Sequence, residues 1–230
     1  MLNAFSSEIL RIIKLFLGLF LFALGIIMTL QANLGFPPWD VFHQGVALNL
    51  GLTLGRASIL TAFVIVAIAV FMKERLGFGT LCNMIFIGFF MDIILSGEWI
   101  PLMGGFVSGV GMMVSGLFVI GFGSFLYIGA GYGAGPRDSL MVVLTKRTGK
   151  SVGLCRGCME GAALLVGWLL GGHAGIGTVI SALGIGFAVQ IVFSILRFDV
   201  KAVHQESFYE TCMRLLTLLH YSRLSTKRKG

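Results

Sequence analysis

Several windows of about 18 or more residues in this chain carry one charge or none, the length a helix needs to cross about 30 Å of hydrocarbon. Across the 230 residues, 57% are hydrophobic and 12% charged, with a mean hydropathy of +0.94. Those values lie outside the soluble range. Inside lipid a backbone must satisfy its own polar groups, so only helices or a closed barrel can span it. No segment alternates apolar and polar residues over about ten positions, as barrel strands do. The expected fold is an all-α polytopic membrane protein.

Two matched interruptions divide the apolar runs. Gly35-Phe-Pro-Pro38-Trp39-Asp40 ends the first, and Gly133-Ala-Gly-Pro136-Arg137-Asp138 repeats its glycine, proline and aspartate 98 residues later. Full helices are expected over about 12–30, 57–72, 77–95, 105–128, 152–170 and 175–196. Short half-helices follow the breaks, over about 38–50 and 136–145. Residues 18–96 align on 116–194 without a gap, with 18 identities in 79 positions. Shared Gly-x-Gly-Thr, Pro-x-Asp and Gly-Phe pairs point to internal duplication. The implied organisation is an N-terminus at 1–11, a membrane repeat at 12–96, a link at 97–104, a second repeat at 105–196 and a basic tail at 197–230. Within the tail, 203–221 suggests an amphipathic helix on the membrane surface.

Topology turns on the half-helices. If they cross, the repeats are parallel. If they re-enter, each repeat has three crossings and the second is inverted. Thirteen helical residues rise only about 20 Å. The basic tail, with Arg197, Lys201, Arg214, Arg223, Lys227, Arg228 and Lys229, is expected in the cytoplasm. Counting back, the re-entrant arrangement places Lys73, Arg75, Lys146, Arg147, Lys150 and Arg156 inside as well. The expectation is six transmembrane helices, two re-entrant half-helices, two inverted repeats and both termini cytoplasmic, in a bacterial inner membrane. Small residues spaced by seven, Gly18, Gly25 and Ala32 against Gly109, Gly116, Gly123 and Ala130, would let two helices approach closely.

The net charge of +7 sits at segment ends and in the tail. That is a topology signal, and no nucleic acid is expected. Cys82, Cys155, Cys158 and Cys212 read as packing residues, because Cys155-x-x-Cys158 opens an apolar helix with no redox fold around it. Scattered histidines give no metal site, no cofactor is expected, and no catalytic motif appears, so the chain is not read as an enzyme. An intramembrane hydrolase is a third choice.

Polar groups within lipid need a partner or a task. Gly35, Pro38, Gly133 and Pro136 form the helix breaks. Asp40 and Asp138 stand where helix N-termini favour a carboxylate, so capping is their expected main role. Freed N–H groups at two facing half-helix ends would border a site. Arg137 replaces Trp39 of the first repeat, which would give that site a cation on one side and an aromatic on the other. An arginine forking to a carboxylate while a tryptophan stacks would suit a small anionic or zwitterionic solute. The competing expectation pairs Arg137 with Asp138 or Glu160. His43, three residues after Asp40, could carry a coupling proton, but is as readily a hydrogen-bonded structural group. Asn83, Asp92, Glu160 and Gln190 could line a polar path, with Glu160 alternatively the i+4 partner of Arg156.

Pro38-Trp-Asp-Val-Phe-His-Gln-Gly45, Gly77-Phe-Gly-Thr80, Gly135-Pro-Arg-Asp-Ser-Leu-Met141 and Gly175-Ile-Gly-Thr178 together resemble the YczE branch of the bacterial YczE/YyaS/YitT integral membrane proteins. The resemblance covers about 12–196 and implies a bacterial inner-membrane protein, with no substrate to carry over. Phe36-Pro37 departs from the more compact glycine-rich approach expected before Pro38. Two functions stand at this point. One is a secondary transporter of a small polar or anionic solute. The other is a membrane accessory or assembly protein that binds a partner. The lipid bilayer is the expected surrounding, and a homo-oligomer is open.

Overall fold

A computed structural model describes residues 2–74, 76–133, 135–150, 152–199, 202–214 and 216–217. Arg75, Lys201, Arg223, Lys227, Arg228 and Lys229 of the expected topology signal lie outside the described residues. The regular structure of the described residues is all helical, with no strand among them. Eight long elements follow one another: α1 (Leu2–Gln31), α2 (Pro38–Leu50), α3 (Leu54–Phe71), α4 (Phe78–Ser96), α5 (Phe106–Gly129), α6 (Pro136–Thr148), α7 (Val152–Leu169) and α8 (Ile176–Ile195). In the tail, 208–214 and 216–217 are helical, and the rest of the expected 203–221 helix falls on undescribed positions.

Five helices, α1, α3, α4, α5 and α8, are long and apolar enough to cross a membrane. The sixth expected crossing corresponds to α7, which matches α3 in length but carries Arg156 and Glu160. Three boundaries differ from expectation by three residues or more. α3 begins at Leu54, where the Thr53 hydroxyl accepts from Arg56 N–H and caps it. α1 begins ten residues early, because nothing between Leu2 and Arg11 breaks a helix and its first turns are held by the tail. α6 runs on to Thr148, where Gly149 stops it in the left-handed region.

Element bounds recur at an offset of 98. α2 and α6 each have 13 residues, start on a proline at the first helical position and end on a left-handed glycine, Gly51 or Gly149. That proline loses nothing there, since its missing N–H would have no intrahelical partner. α4 and α8 start alike: the Thr80 hydroxyl accepts from the Gly77 N–H at 3.2 Å, and the Thr178 hydroxyl from Gly175 at 3.0 Å.

α1 and α5 form the spine. The small-residue stripe lies between them, and a Cβ on Gly18 would meet Gly123 O at 2.9 Å, one on Gly25 Gly116 O at 2.7 Å, and one on Gly109 Ala32 O at 2.5 Å. Positions that rise along α1 face positions that fall along α5, so the two run antiparallel. Leu15, Leu19, Ile27, Met91, Ile94 and Leu117 pack into the core around this spine. α4 lies on α1, and α8 on α5. α2 packs against α7, and α6 against α3.

One pair breaks this correspondence. α3 packs along α4, with Gly55 and Gly88 in backbone contact. The equivalent helices α7 and α8 diverge from their connection at 170–175 and do not pack along their lengths.

Candidate functional site

The breaks are built from backbone that only glycine adopts without strain. Gly35 has φ +106° and Gly133 φ +114°. Gly35 lies against Gly175, and Gly133 against Gly77. Hydrogen bonds are exchanged in the same sense: Gly177 N–H donates to Leu34 O and Gly79 N–H to Tyr132 O, both at 2.7 Å. The Phe36-Pro37 approach is accommodated, since Phe36 N–H donates to His173 O at 3.0 Å and Pro37 takes an extended conformation ahead of α2.

The starts of α2 and α6 meet at a cavity of about 700 Å³. Trp39, Asp40, His43, Arg137 and Asp138 all line it, as do Asn83, Glu160, Gln190, Pro38 and Pro136. The Arg137 guanidinium lies 4.7 Å from the centre of the Trp39 ring, within cation–π range. His43 Nδ1 is 3.1 Å from Asp40 Oδ1, and Arg137 Nη2 is 3.5 Å from His43 Nε2. Asp40 and His43 are almost wholly buried, at 3% and 1% exposure. With Asp40 accepting at Nδ1–H, the imidazole presents its Nε2 lone pair to the guanidinium. Asp138 and the Tyr127 hydroxyl stand side by side at Gly135, and both line the cavity.

Asp40 and Asp138 stand in the first turns of α2 and α6, where the helix dipole favours a carboxylate, but no cap hydrogen bond is made there. Asp40 is the third helical residue and its carboxylate turns to His43. Asp138, also third, lies beside Tyr127 at the cavity.

Arg137 does not pair as the competing expectation held. Among the described residues, no carboxylate oxygen lies within 4.0 Å of its guanidinium. Glu160 is taken by Arg156 at 3.0 Å, one turn away on α7. Arg137 and Asp138 therefore border one cavity as a cation and a carboxylate without a direct ion pair.

Asp92 does not line this cavity. Its carboxylate accepts from Gly55 N–H at 2.9 Å and from the Thr53 hydroxyl, where it fastens the start of α3 to α4. Its repeat counterpart Gln190 does face the cavity. The difference follows from the packing of α3 on α4 and the divergence of α7 from α8.

Several cavity groups escaped the sequence reading, among them the hydroxyls of Ser58, Thr61 and Ser124 and three larger side chains. Tyr127 looked like one more aromatic in an apolar run, though its counterpart Thr29 is also polar. Arg156 read as a topology charge. Gln205 comes from the tail, donating to Ile128 O at 3.1 Å and accepting from Gly133 N–H at 3.0 Å. No local pattern announces a tail residue at a helix break.

The tail is held over the second break by charge. Glu206 bonds Arg11 at 2.9 Å and Arg214 at 2.9 Å, and Arg214 bonds Glu8 at 2.8 Å. The Tyr132 hydroxyl donates to Glu8, with Arg11 stacked on its ring at 4.7 Å. Burial, and then the Glu8 bond, push the Tyr132 phenol up, so it stays a donor.

Comparison with known proteins places the chain. A family described as "Family of unknown function (DUF6198)" matches residues 9–194. The "Uncharacterized membrane protein YczE" of Bacillus subtilis (strain 168) is 36% identical over 177 residues, 76% of this chain and 81% of that protein. An "Uncharacterized protein" of Haemophilus influenzae is 35% identical over 185 residues, 78% and 84% of the two chains. The "Uncharacterized protein YyaS" of Bacillus subtilis is 23% identical over 183 residues, 78% and 90%. No solved structure matches. This is a membrane protein, and it belongs to the family of unknown function DUF6198, together with YczE.

Proposed function

We propose that the chain is a secondary transporter of a small polar solute carrying an acidic group, bound where the starts of α2 and α6 meet. The observation that carries this reading is the unequal packing of equivalent helices. α3 is closed on α4, whereas α7 stands away from α8 and leaves the cavity between them. Two like units in unlike packing are what alternating access requires, the second state exchanging the roles of the repeats.

Three features support inverted repeats and re-entrant half-helices. α1 and α5, equivalent by the offset of 98, run antiparallel along the spine. The first broken segment touches the α7–α8 connection at both ends, through Gly35 with Gly175 and Asn49 with Leu170 O at 2.8 Å. The second touches the α3–α4 connection at both ends, through Gly133 with Gly77 and Lys146 with Glu74 at 2.9 Å. A segment that enters and leaves at one end of the molecule does not cross it. α7 is then the sixth crossing, and its Arg156–Glu160 pair faces the cavity rather than lipid.

The orientation has both termini in the cytoplasm of a bacterial inner membrane, with Lys73, Lys146 and Arg147 on that side. A cysteine at Lys73→Cys is expected to react only from the cytoplasm, and labelling from the periplasm would overturn the arrangement.

Thermal unfolding of the purified protein across amino acids, organic acids and inorganic anions tests the solute. A compound that stabilises the wild type but not Arg137→Ala is expected. No shift by any class, with a stable co-purifying protein, would overturn this reading in favour of an accessory role.

A further inference from the structure

The site described above is small, yet the cavity around it is not. About 700 Å³ is several times what a compact solute needs. Trp39, Asp40, His43, Arg137 and Asp138 stand at the meeting of α2 and α6, and polar side chains such as Ser58, Asn83 and Gln190 are scattered along the rest. Most of the wall is nonetheless apolar, with Leu117, Ile120, Met159, Ile185, Val189 and Phe193. A fully hydrophilic solute filling that space would lose water along this wall without gaining hydrogen bonds.

The space also leads sideways. Gly157 on α7 and Gly186 on α8 have no atom within 4 Å of where a Cβ would stand, whereas Gly88, the counterpart of Gly186, is pressed against Gly55 and Ile59. The flanks of the slot are apolar and outward-facing: Leu165 and Trp168 on α7 are 56% and 60% exposed, and Leu183 and Phe187 on α8 are 67% and 69%. In a membrane those surfaces meet acyl chains, so the slot opens to hydrocarbon.

Charge defines the head group. Glu160 is paired with Arg156, whereas Asp40 is hydrogen-bonded to a neutral imidazole and keeps its charge, so Arg137 stands among two carboxylates, Asp40 and Asp138. A lone anion would meet the cation and be repelled by the carboxylates.

We propose that the ligand is a single-chain zwitterionic amphiphile, its acidic group on Arg137, its ammonium toward Asp138 and its chain in the slot between α7 and α8. This rests on the reading of Arg137 as the binding cation and adds the chain, the ammonium and the lateral route.

Trp39 supplies the test. In a Trp99→Phe/Trp168→Phe background in maltoside micelles, it is the remaining tryptophan, and a bromine on a bound chain would quench it. The probes share one chain, carry the bromine at carbon 7 so that it stays near the indole when the head is on Arg137, and differ in head: 7-bromo-2-aminoundecanoate, 7-bromoundecanoate, 7-bromoundecylamine and 7-bromoundecanol. Saturable quenching is expected from the amino acid at a concentration about tenfold or more below that of the alcohol. The carboxylate is expected between them, and chainless alanine is expected to displace the probe only weakly. Arg137→Gln should remove the saturable component. Should that variant fail to fold, Gly186→Phe, which fills the slot and leaves the cation in place, should weaken long-chain binding and spare alanine.

Quenching by the alcohol as strong as by the amino acid would show micelle partitioning alone and overturn the proposal. Displacement by alanine at the concentration of the long-chain probe would overturn the amphiphile and leave the Arg137 site standing. Absence of any Arg137-dependent component, for long and chainless ligands alike, would overturn both.

Discussion

Arg137 is set apart by what surrounds it. An indole face, an imidazole lone pair and a cavity meet its guanidinium, and no carboxylate closes on it. Its planar fork stacks and donates in two directions, which an ammonium cannot copy. Arg137→Lys is therefore expected to keep the fold but bind the solute about tenfold more weakly, a loss of about 1.4 kcal/mol, read from ligand-dependent shifts in unfolding temperature. Asp92 shows the opposite case of a membrane carboxylate with a purely structural task. Removing it leaves the Gly55 N–H and Thr53 hydroxyl at the start of α3 without their acceptor. Asp92→Ala is expected to lower stability by about 1–3 kcal/mol with solute affinity unchanged in the molecules that remain folded. A loss of affinity equal to that of Arg137→Ala would return Asp92 to the path.

Glycines divide into two kinds at the scale of the helix. Along α1 and α5 they allow backbone contact, because in lipid close packing must replace the hydrophobic drive. A Cβ on Gly25 would stand 2.7 Å from Gly116 O, and on Gly116 2.8 Å from Gly25 O. Gly25→Val or Gly116→Val should separate the spine, at a cost of about 1–3 kcal/mol or more, seen as a lower unfolding temperature or loss of monodisperse protein. Gly186, on the open side, has no such neighbour. Gly186→Ala is expected to leave stability unchanged within about 0.5 kcal/mol. Glycine content alone does not separate these two cases. Only the partner across the interface does.

For the whole molecule, the question is whether α7 closes on α8 as α3 does on α4. Ile59 abuts Gly88, and their counterparts by the offset of 98 are Gly157 and Gly186. In a background without native cysteines, Gly157→Cys/Gly186→Cys should cross-link only when the second state is populated. The yield should change with bound solute. A yield fixed across ligands, or no cross-link at all, would count against alternating access. The opposite end is held by the Glu8, Arg11, Glu206 and Arg214 cluster, which ties α1 to the tail over the second break. Glu8→Arg and Arg214→Glu alone should each destabilise, since each leaves a charge unpaired in a half-buried place. The double exchange should recover part of that loss, with a coupling of about 0.5–3 kcal/mol in a thermal-unfolding cycle.

Hydrophobic length and matched punctuation determined much of this protein without a structure. An apolar run names a spanning helix because lipid accepts little else, and Gly-Pro at Gly35–Pro38 and Gly133–Pro136 stops a helix by local sterics. The bounds of α2 were therefore legible to the residue, and so were the stripe of small residues and most of the cavity's polar lining. The destinations of side chains were not. Asp40 and Asp138 occupy N-terminal turns, where capping is the local rule, but neither helix start is closed by a side-chain cap, and the Asp40 carboxylate goes to His43. Asp92 and Gln190 are equivalent in sequence and differ only because one pair of helices is closed and the other open. Gln205 reaches the second break from a tail whose position depends on Glu8 and Arg11, almost two hundred residues away. Chain-local forces fix where helices begin and end. Which polar groups stay free to meet a ligand is decided by neighbours distant in sequence, and those exist only once the helices have packed.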